Sequence, residues 1–460
     1  MSRTDVFGLA LSGSDAAAIA RYDSALGKLL LLRNAPVAEV DAATSIDPGL
    51  VMGHVLKGLL CVLGTEKAML PEARAALALA RAAADGATAR ELGHIAALAA
   101  WIDGRFHDAG ACWEQVLVAQ PDDVLAMFAA HQGDFFLGQS SELRDRVARR
   151  LPDIARGGAL EGHYLGMWAF GLEEMGDYRA AESAARQALA CEPRNAWATH
   201  ALVHVMEMTH RVDEGIDFLT STVPQWSDDS FFAVHNWWHL ALYHADRQQW
   251  PQVLGLYDER IRGSDSAVVL DMIDASALLW RLMLQGVDVG SRWQGLAEVW
   301  EPRIDDAWYV FNDCHAMMAF VGAGRDDLAQ RLIAVLERGA QQQGDNAAST
   351  RAVGLPLARA LQLYGQRQYL AAMQLLMPIR SIAARAGGSH AQRDLITQTL
   401  IASAEHANQG AVARALLNER LMLKPGSVLN QAWVARVQSK PLLISYKVQP
   451  LDYGAPDVVS

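Results

Sequence analysis

Cysteine is scarce in this chain. Four residues, Cys61, Cys112, Cys191 and Cys314, are scattered through 460. None pair at Cys-x-x-Cys spacing, which excludes a metal knuckle and a disulfide framework, and a cytoplasmic location is the simplest expectation. Long apolar runs are missing too. Nothing approaches the ~18 uninterrupted apolar residues of a membrane span, so no membrane partner is expected. The opening stretch, MSRTDVFGLALSGSD, lacks a basic segment followed by an apolar core and a cleavage site, and no secretory signal is expected. Basic charge is in deficit. Lys plus Arg is 40 against 52 for Asp plus Glu, a net of −12, which argues against nucleic acid as a partner. No Gly-x-Gly-x-x-Gly follows a strand and no Walker A motif occurs, so no nucleotide cofactor is expected.

Strand signals are nearly absent as well. Ala, Leu, Arg and Glu dominate, in apolar runs of helical period, and apolar residues make up 51% of the chain. Self-comparison then shows a repeat. Gly104, Phe106, Ala109 and Pro121 align with Gly176, Tyr178, Ala181 and Pro193, each pair 72 residues apart. Gly138 and Pro152 mark an intervening unit, and Pro224 closes the next. Each unit reads as two helices. Gly sits in the turn inside the pair, where positive φ is needed. The small Ala lets the helices approach, and Pro ends the second helix.

This Gly-aromatic-Ala-Pro spacing resembles the tetratricopeptide repeat, whose period is about 34 residues. It is clearest over residues 90–224. Looser pairs continue to about residue 420, including one with Gly324 and Ala329 and one with Tyr369 and Ala372. The expected fold is all-α, a tetratricopeptide-repeat-like α-solenoid forming a right-handed superhelix of antiparallel helix pairs. It forms a single domain over 1–439, followed by an extended tail over 440–460.

Five strings are more particular: DPGLVMGHVLKG, AWATHALVHVMEM, HNWWHLALY, VFNDCH and GGSHAQRD. Together they resemble the tetratricopeptide repeat protein 38 family, also called StaR-like, over about residues 40–425. That resemblance implies a helical solenoid and brings no assigned activity, substrate or catalytic residue.

The tetratricopeptide resemblance also implies that positions 2, 5, 9, 12 and 13 of each first helix face the concave groove. Counted so, His163 falls on position 2 of one repeat. Trp197, His200, His204, Glu207 and Met208 fill all five positions of the next. His235 and Trp238 fall on 2 and 5 of the following one, with His239 at the border on 6. His200/His204 and His235/His239 are i, i+4 pairs, whose Cβ atoms lie about 5–6 Å apart. Neighbouring helices lie about 8–10 Å apart, so the two pairs can converge. With Glu207 they offer an N/N/O set for a divalent transition metal such as zinc or iron. Without a metal, His204, Glu207 and His239 are candidates for acid–base work, since imidazole titrates near neutrality. His163, Trp197, His200, His235 and Trp238 then line a ligand groove.

Weaker candidates are Asp313 and His315 in VFNDCH, and Arg393 after the Gly-Gly loop of GGSHAQRD, where a helix start attracts anions. There Ser389 and Gln392 also read as a capping box, which accounts for much of the string. Two functions compete: a His/Glu/Trp-lined pocket for a small molecule, with or without catalysis, and a scaffold that binds an extended peptide in its groove. A homodimer, its groove filled by its own tail, stays open.

Overall fold

One backbone turn, repeated, sets the architecture. In the first helix of a pair the last turn closes with a residue in the left-handed region, and the next N–H donates to the carbonyl five residues back. Arg105 donates to Ala100 in this way, Asp177 to Leu172, Arg211 to Met206, Gln249 to His244, Gln368 to Leu363 and Gln409 to Ala404. This satisfies a carbonyl that the helix end leaves without a partner. The left-handed residue is Gly104 (φ +75°) or Gly176 (φ +81°) in some pairs. In others it is His210, Gln248, Arg367 or Asn408, at φ 58–63°. The chain then reverses into the second helix.

A computed structural model describes residues 3–439 and shows an all-α solenoid of tetratricopeptide-like helix pairs. The tail expected over 440–460 lies outside the described residues. Successive pairs include Ala89–Ile102 with Phe106–Ala119, Glu161–Glu174 with Tyr178–Cys191, and Ala196–Met208 with Val212–Ser221. Two strands, Arg3–Thr4 and Ala10–Leu11, form a short hairpin at the start. An additional pair, Ala16–Leu30 with Pro36–Ile46, precedes the region where the sequence repeat is legible. Trp101, Trp113, Trp280 and Trp300 are fully buried; Trp101 packs against Phe106, Trp113 and Phe136, and Trp280 against Tyr364.

Buried caps link one pair to the next. Asp123, at the N-cap of Val124–Phe136, accepts from the Ala126 N–H at 3.0 Å. It also receives Arg90 Nε at 2.7 Å and His94 Nε2 at 2.9 Å from the preceding pair. Burial opposes its charge, but the charges of His94 and Arg90 outweigh burial and hold the carboxyl far below the usual range. Asn195, in the equivalent place 72 residues later, caps Ala198 and donates to the Gly162 carbonyl at 2.9 Å.

The superhelix closes on itself. His390–His406 packs along Val269–Leu284, and Val428–Gln438 reaches Ala233–Asp246. Arg281 donates to the Ala391 carbonyl, Tyr309 Oη to the Phe136 carbonyl and Asn312 Nδ2 to the Thr65 carbonyl. At the other end Arg33 donates to three carbonyls, of Arg194, Gln225 and Asp228, at 2.9–3.1 Å. The inner face is therefore covered by the chain's own later helices.

The shared turn makes a test. A non-glycine left-handed residue costs roughly 1–2 kcal/mol, partly offset by glycine's extra unfolded entropy of about 0.5–1 kcal/mol. Arg367 is exposed, so Arg367→Gly should stabilise the fold by about 0.5–1 kcal/mol in urea unfolding. Asn408→Gly should gain much less, because Asn tolerates this region. Equal effects at the two positions would show that the backbone strain assigned to Arg367 is absent.

Candidate functional site

Four imidazoles meet in the buried interior. His200 and His204 stand one turn apart on Ala196–Met208, and His235 and His239 one turn apart on the adjacent Ala233–Asp246. The His200 Nε2 atom lies 2.9 Å from Nε2 of His204, 3.1 Å from that of His235 and 3.1 Å from that of His239. His235 and His239 Nε2 are 3.2 Å apart. In a tetrahedral zinc site with Zn–N of about 2.0–2.1 Å, neighbouring nitrogens stand roughly 3.3 Å apart. The tetrad is therefore already near coordination size. Burial, and then the charge of the neighbouring rings, hold His200 and His239 well below the ordinary imidazole value. They are neutral, the form that ligates metals.

The far side of the rings meets carboxylates. His235 Nδ1 lies 2.9 and 3.0 Å from the two Asp274 oxygens. His204 Nδ1 lies 3.2 Å from Glu173 Oε2. An ionised carboxylate only accepts, so Asp274 places the proton of His235 on Nδ1 and turns its Nε2 lone pair toward the other rings. Glu173 also reaches His390 Nε2 at 2.6 Å through its other oxygen, and Glu174 accepts the His390 backbone N–H at 2.8 Å. Burial works against the charge of both Glu173 and His390. Their mutual attraction wins, pulling the glutamate down and pushing the imidazole up. Glu173, Glu174, His204 and His390 also bring their ligand atoms within 4.8 Å of one another, a second cluster beside the tetrad.

A cavity of about 380 Å³ ends against His200 and His235. Its apolar wall is mainly Leu and Phe side chains, with Trp197, Gln132 and Gln392 among the polar-tipped ones. That volume lies within the range of small-molecule pockets, about 300–1,000 Å³.

Other residues singled out by their spacing are placed differently. Glu207 is not among the converging atoms. Its carboxylate pairs with Lys424, a residue the superhelix closure brings across, and comes no nearer than 4.0 Å to His239 Nδ1. The expected ligand is thus an outer neighbour. Trp238 does not line the cavity. It is fully buried, stacked on His235 at 5.3 Å with Arg281 at 5.3 Å from its ring. His163 packs edge-on to Phe7, 6.4 Å away, apart from the tetrad. Arg393 donates to the Gly388 carbonyl of its own loop and to Glu174, at the end of Glu161–Glu174, at 3.1 Å, so its fork is already engaged. Ser389 and Gln392 form a complete capping box.

His315 donates from Nδ1 to the Phe311 carbonyl at 2.7 Å and stands behind the Phe311 ring, which lines the cavity. Burial lowers it to about 4, with the nearby Arg281 charge adding to this and its own hydrogen bond opposing. Asp313 lies beside Thr65 and Asp306 in a separate buried gap. Asp274, Glu173 and His390 carry the site and have no i, i+4 signature. Counted on from His163 at position 2, Glu173 falls on groove position 12, and His390 sits in the GGSHAQRD string; Asp274 has no sequence signal.

No family model matches the sequence. The chain is similar in structure to human IFIT1 solved as a dimer with m7Gppp-AAAA, at 12% identity, over 93% of this chain and 95% of that one, with a TM-score of 0.39. A monomeric IFIT1 mutant with Gppp-AAAA gives 12% identity, the same coverage and a TM-score of 0.40. Yeast Tom70 gives 11%, 92% and 87%, and 0.32. Among the described residues no helix is long and apolar enough to cross a membrane.

Asp313 allows a pH test. Burial, and then the nearby Asp306, raise it to about 8, against about 3.9 when unfolded. Folding therefore takes up a proton between these values, and stability falls as pH rises from about 4 to 8. Asp313→Asn removes this penalty. Its gain over wild type should grow from pH 5 to pH 8 by on the order of 1–3 kcal/mol in urea unfolding. A pH-independent gain would place the ionised carboxylate in the fold.

Proposed function

We propose that this chain binds a first-row transition metal through His200, His204, His235 and His239, and a small molecule in the cavity against which they end. One observation carries the reading. The His200 Nε2 atom faces three other Nε2 atoms at 2.9–3.1 Å. A neutral ring nitrogen has either one proton or one lone pair, so hydrogen bonding satisfies one such contact and leaves two opposed. A cation at the centre turns all the lone pairs into bonds. Asp274 behind His235 and Glu173 behind His204 are the outer partners that metal-bound histidines ordinarily have.

Four imidazole ligands suit zinc, copper, iron or nickel. Zinc would be coordinatively complete here, which makes a structural site. A metal that takes five or six ligands keeps a position on the cavity side, beside His200 and His235, where a substrate could be polarised. In that case Glu207, paired with Lys424, stays outside the ligand set. The covered inner face supports a small molecule over an extended peptide, and the acidic balance of the chain supports a neutral ligand over a polyanion. We also keep the likeness to the tetratricopeptide repeat protein 38 family as part of this proposal, on the histidine-bearing strings alone.

Elemental analysis of untagged protein, purified without chelators or immobilised metal, tests the reading. About one ion per chain is expected. His200→Ala should lose it, and Asp274→Asn should weaken binding about 10–100-fold, the usual cost of removing an outer partner. Protein that holds no metal, and takes up neither zinc, cobalt, copper nor ferrous iron at one equivalent, would overturn it.

A further inference from the structure

We infer that the cavity beside the tetrad takes a neutral, largely apolar molecule of roughly fifteen non-hydrogen atoms that carries one hydrogen-bond-accepting oxygen. This rests on the small-molecule half of the reading above and names the class of ligand.

Size comes first. An apolar cavity of about 150 Å³ holds benzene. The 380 Å³ here scales to roughly fifteen atoms of that kind, or two to three linked rings.

The entrance comes next. Large apolar side chains left exposed on a soluble surface are informative when they gather at one place. Val37 (40% exposed), Phe231 (42%) and Val268 (37%) all belong to the lining of this one cavity. They come from three separated segments. Two of these are joined by the Arg33–Ser230 bridge and by Arg33's bonds to main-chain carbonyls. An apolar rim held by such a pinned loop pair marks an entry for an apolar molecule.

Charge narrows the class. Glu66, Asp271 and Asp274 line the wall, against Arg33 as the basic side chain. The Arg33 guanidinium is engaged by three main-chain carbonyls, so it has little left for an anionic head group. In the metal-free chain an anion would face these three carboxylates, of which Glu66 is already paired with Arg303 at 3.2 Å, and like charges repel. A bound dication at the tetrad offsets that repulsion, so the charge preference is read on metal-free protein.

Four lining residues have a buried polar atom without a partner, Arg33 Nε, Gln132 Oε1, Trp197 Nε1 and His200 Nδ1. Of these the indole N–H of Trp197 is a donor that stands outside both the Arg33 clamp and the tetrad. Trp197 is 7% exposed, lines the cavity and has no acceptor for its Nε1–H. A buried indole N–H without a partner costs on the order of 1–3 kcal/mol. An oxygen on the ligand supplies the missing acceptor.

The test uses the full chain and matched probes. N-phenyl-1-naphthylamine is neutral and fluoresces in apolar surroundings. 8-Anilinonaphthalene-1-sulfonate has the same skeleton with an anionic group. On metal-free protein the neutral probe should saturate near one per chain and bind at least about tenfold more tightly than the sulfonate. Gly64 lines the cavity, has ordinary helical φ and meets open space where a Cβ would sit. Gly64→Phe should therefore weaken the neutral probe by about tenfold or more with bound metal and circular dichroism unchanged. Leu270→Trp, from a separate lining segment, is the second blocking variant. Displacement by 2-acetylnaphthalene against 2-ethylnaphthalene reads the acceptor oxygen, and the preference for the ketone should shrink in Trp197→Phe.

Equal binding of the two anilinonaphthalenes to metal-free protein overturns the neutral class. Undiminished binding in both blocking variants overturns the cavity. A ketone preference that persists in Trp197→Phe overturns the role of the indole. Protein that takes up no metal but still binds the neutral probe, and loses it in Gly64→Phe, refutes the metal reading and upholds this one. One equivalent of metal with no probe binding does the reverse.

Discussion

Everything in this fold depends on the left-handed turn that ends each first helix. It costs one strained residue and in return satisfies a helix-end carbonyl, so that the second helix starts in a fixed direction. Because the same turn recurs, successive first helices stand side by side in register. His200 and His204 then meet His235 and His239 without any loop to guide them. The i, i+4 spacing places each pair along a helix, and the repeat places the pairs beside each other.

Closure of the superhelix adds what the repeat alone cannot. A simple array couples each unit only to its neighbours. Here Glu173 is joined to His390, Glu207 to Lys424 and Arg33 to the Arg194–Asp228 region. The cavity exists because early and late helices face each other over the imidazoles.

Part of this was legible in the sequence. The pairs whose turn carries glycine, at Gly104, Gly176 and Gly324, stood out. Those turned by His210, Gln248, Arg367 or Asn408 were read as pairs from helical period and small or aromatic neighbours, but their turn residue was not legible, because the same backbone is forced there on residues with no turn signature. The two histidine pairs were legible because helical period is local. Asp274 and His390 were not, since they lie 39 and 186 residues from their imidazole partners and tertiary closure alone joins them. Glu207 shows the converse. Its place on the stripe was read correctly, but Lys424, distant in sequence, draws its carboxylate away from the tetrad. Trp238 was sent to the groove by register counting, while packing against His235 and Arg281 keeps it in the core.

Arg33 ties the first helix pair to carbonyls near residues 194–228, across the mouth of the cavity. Ordinary repeat arrays can fray from either end one unit at a time. While this one side chain holds, the first pair cannot fray without opening the cavity. Melting of the N-terminal end and accessibility of the interior are therefore a single cooperative event.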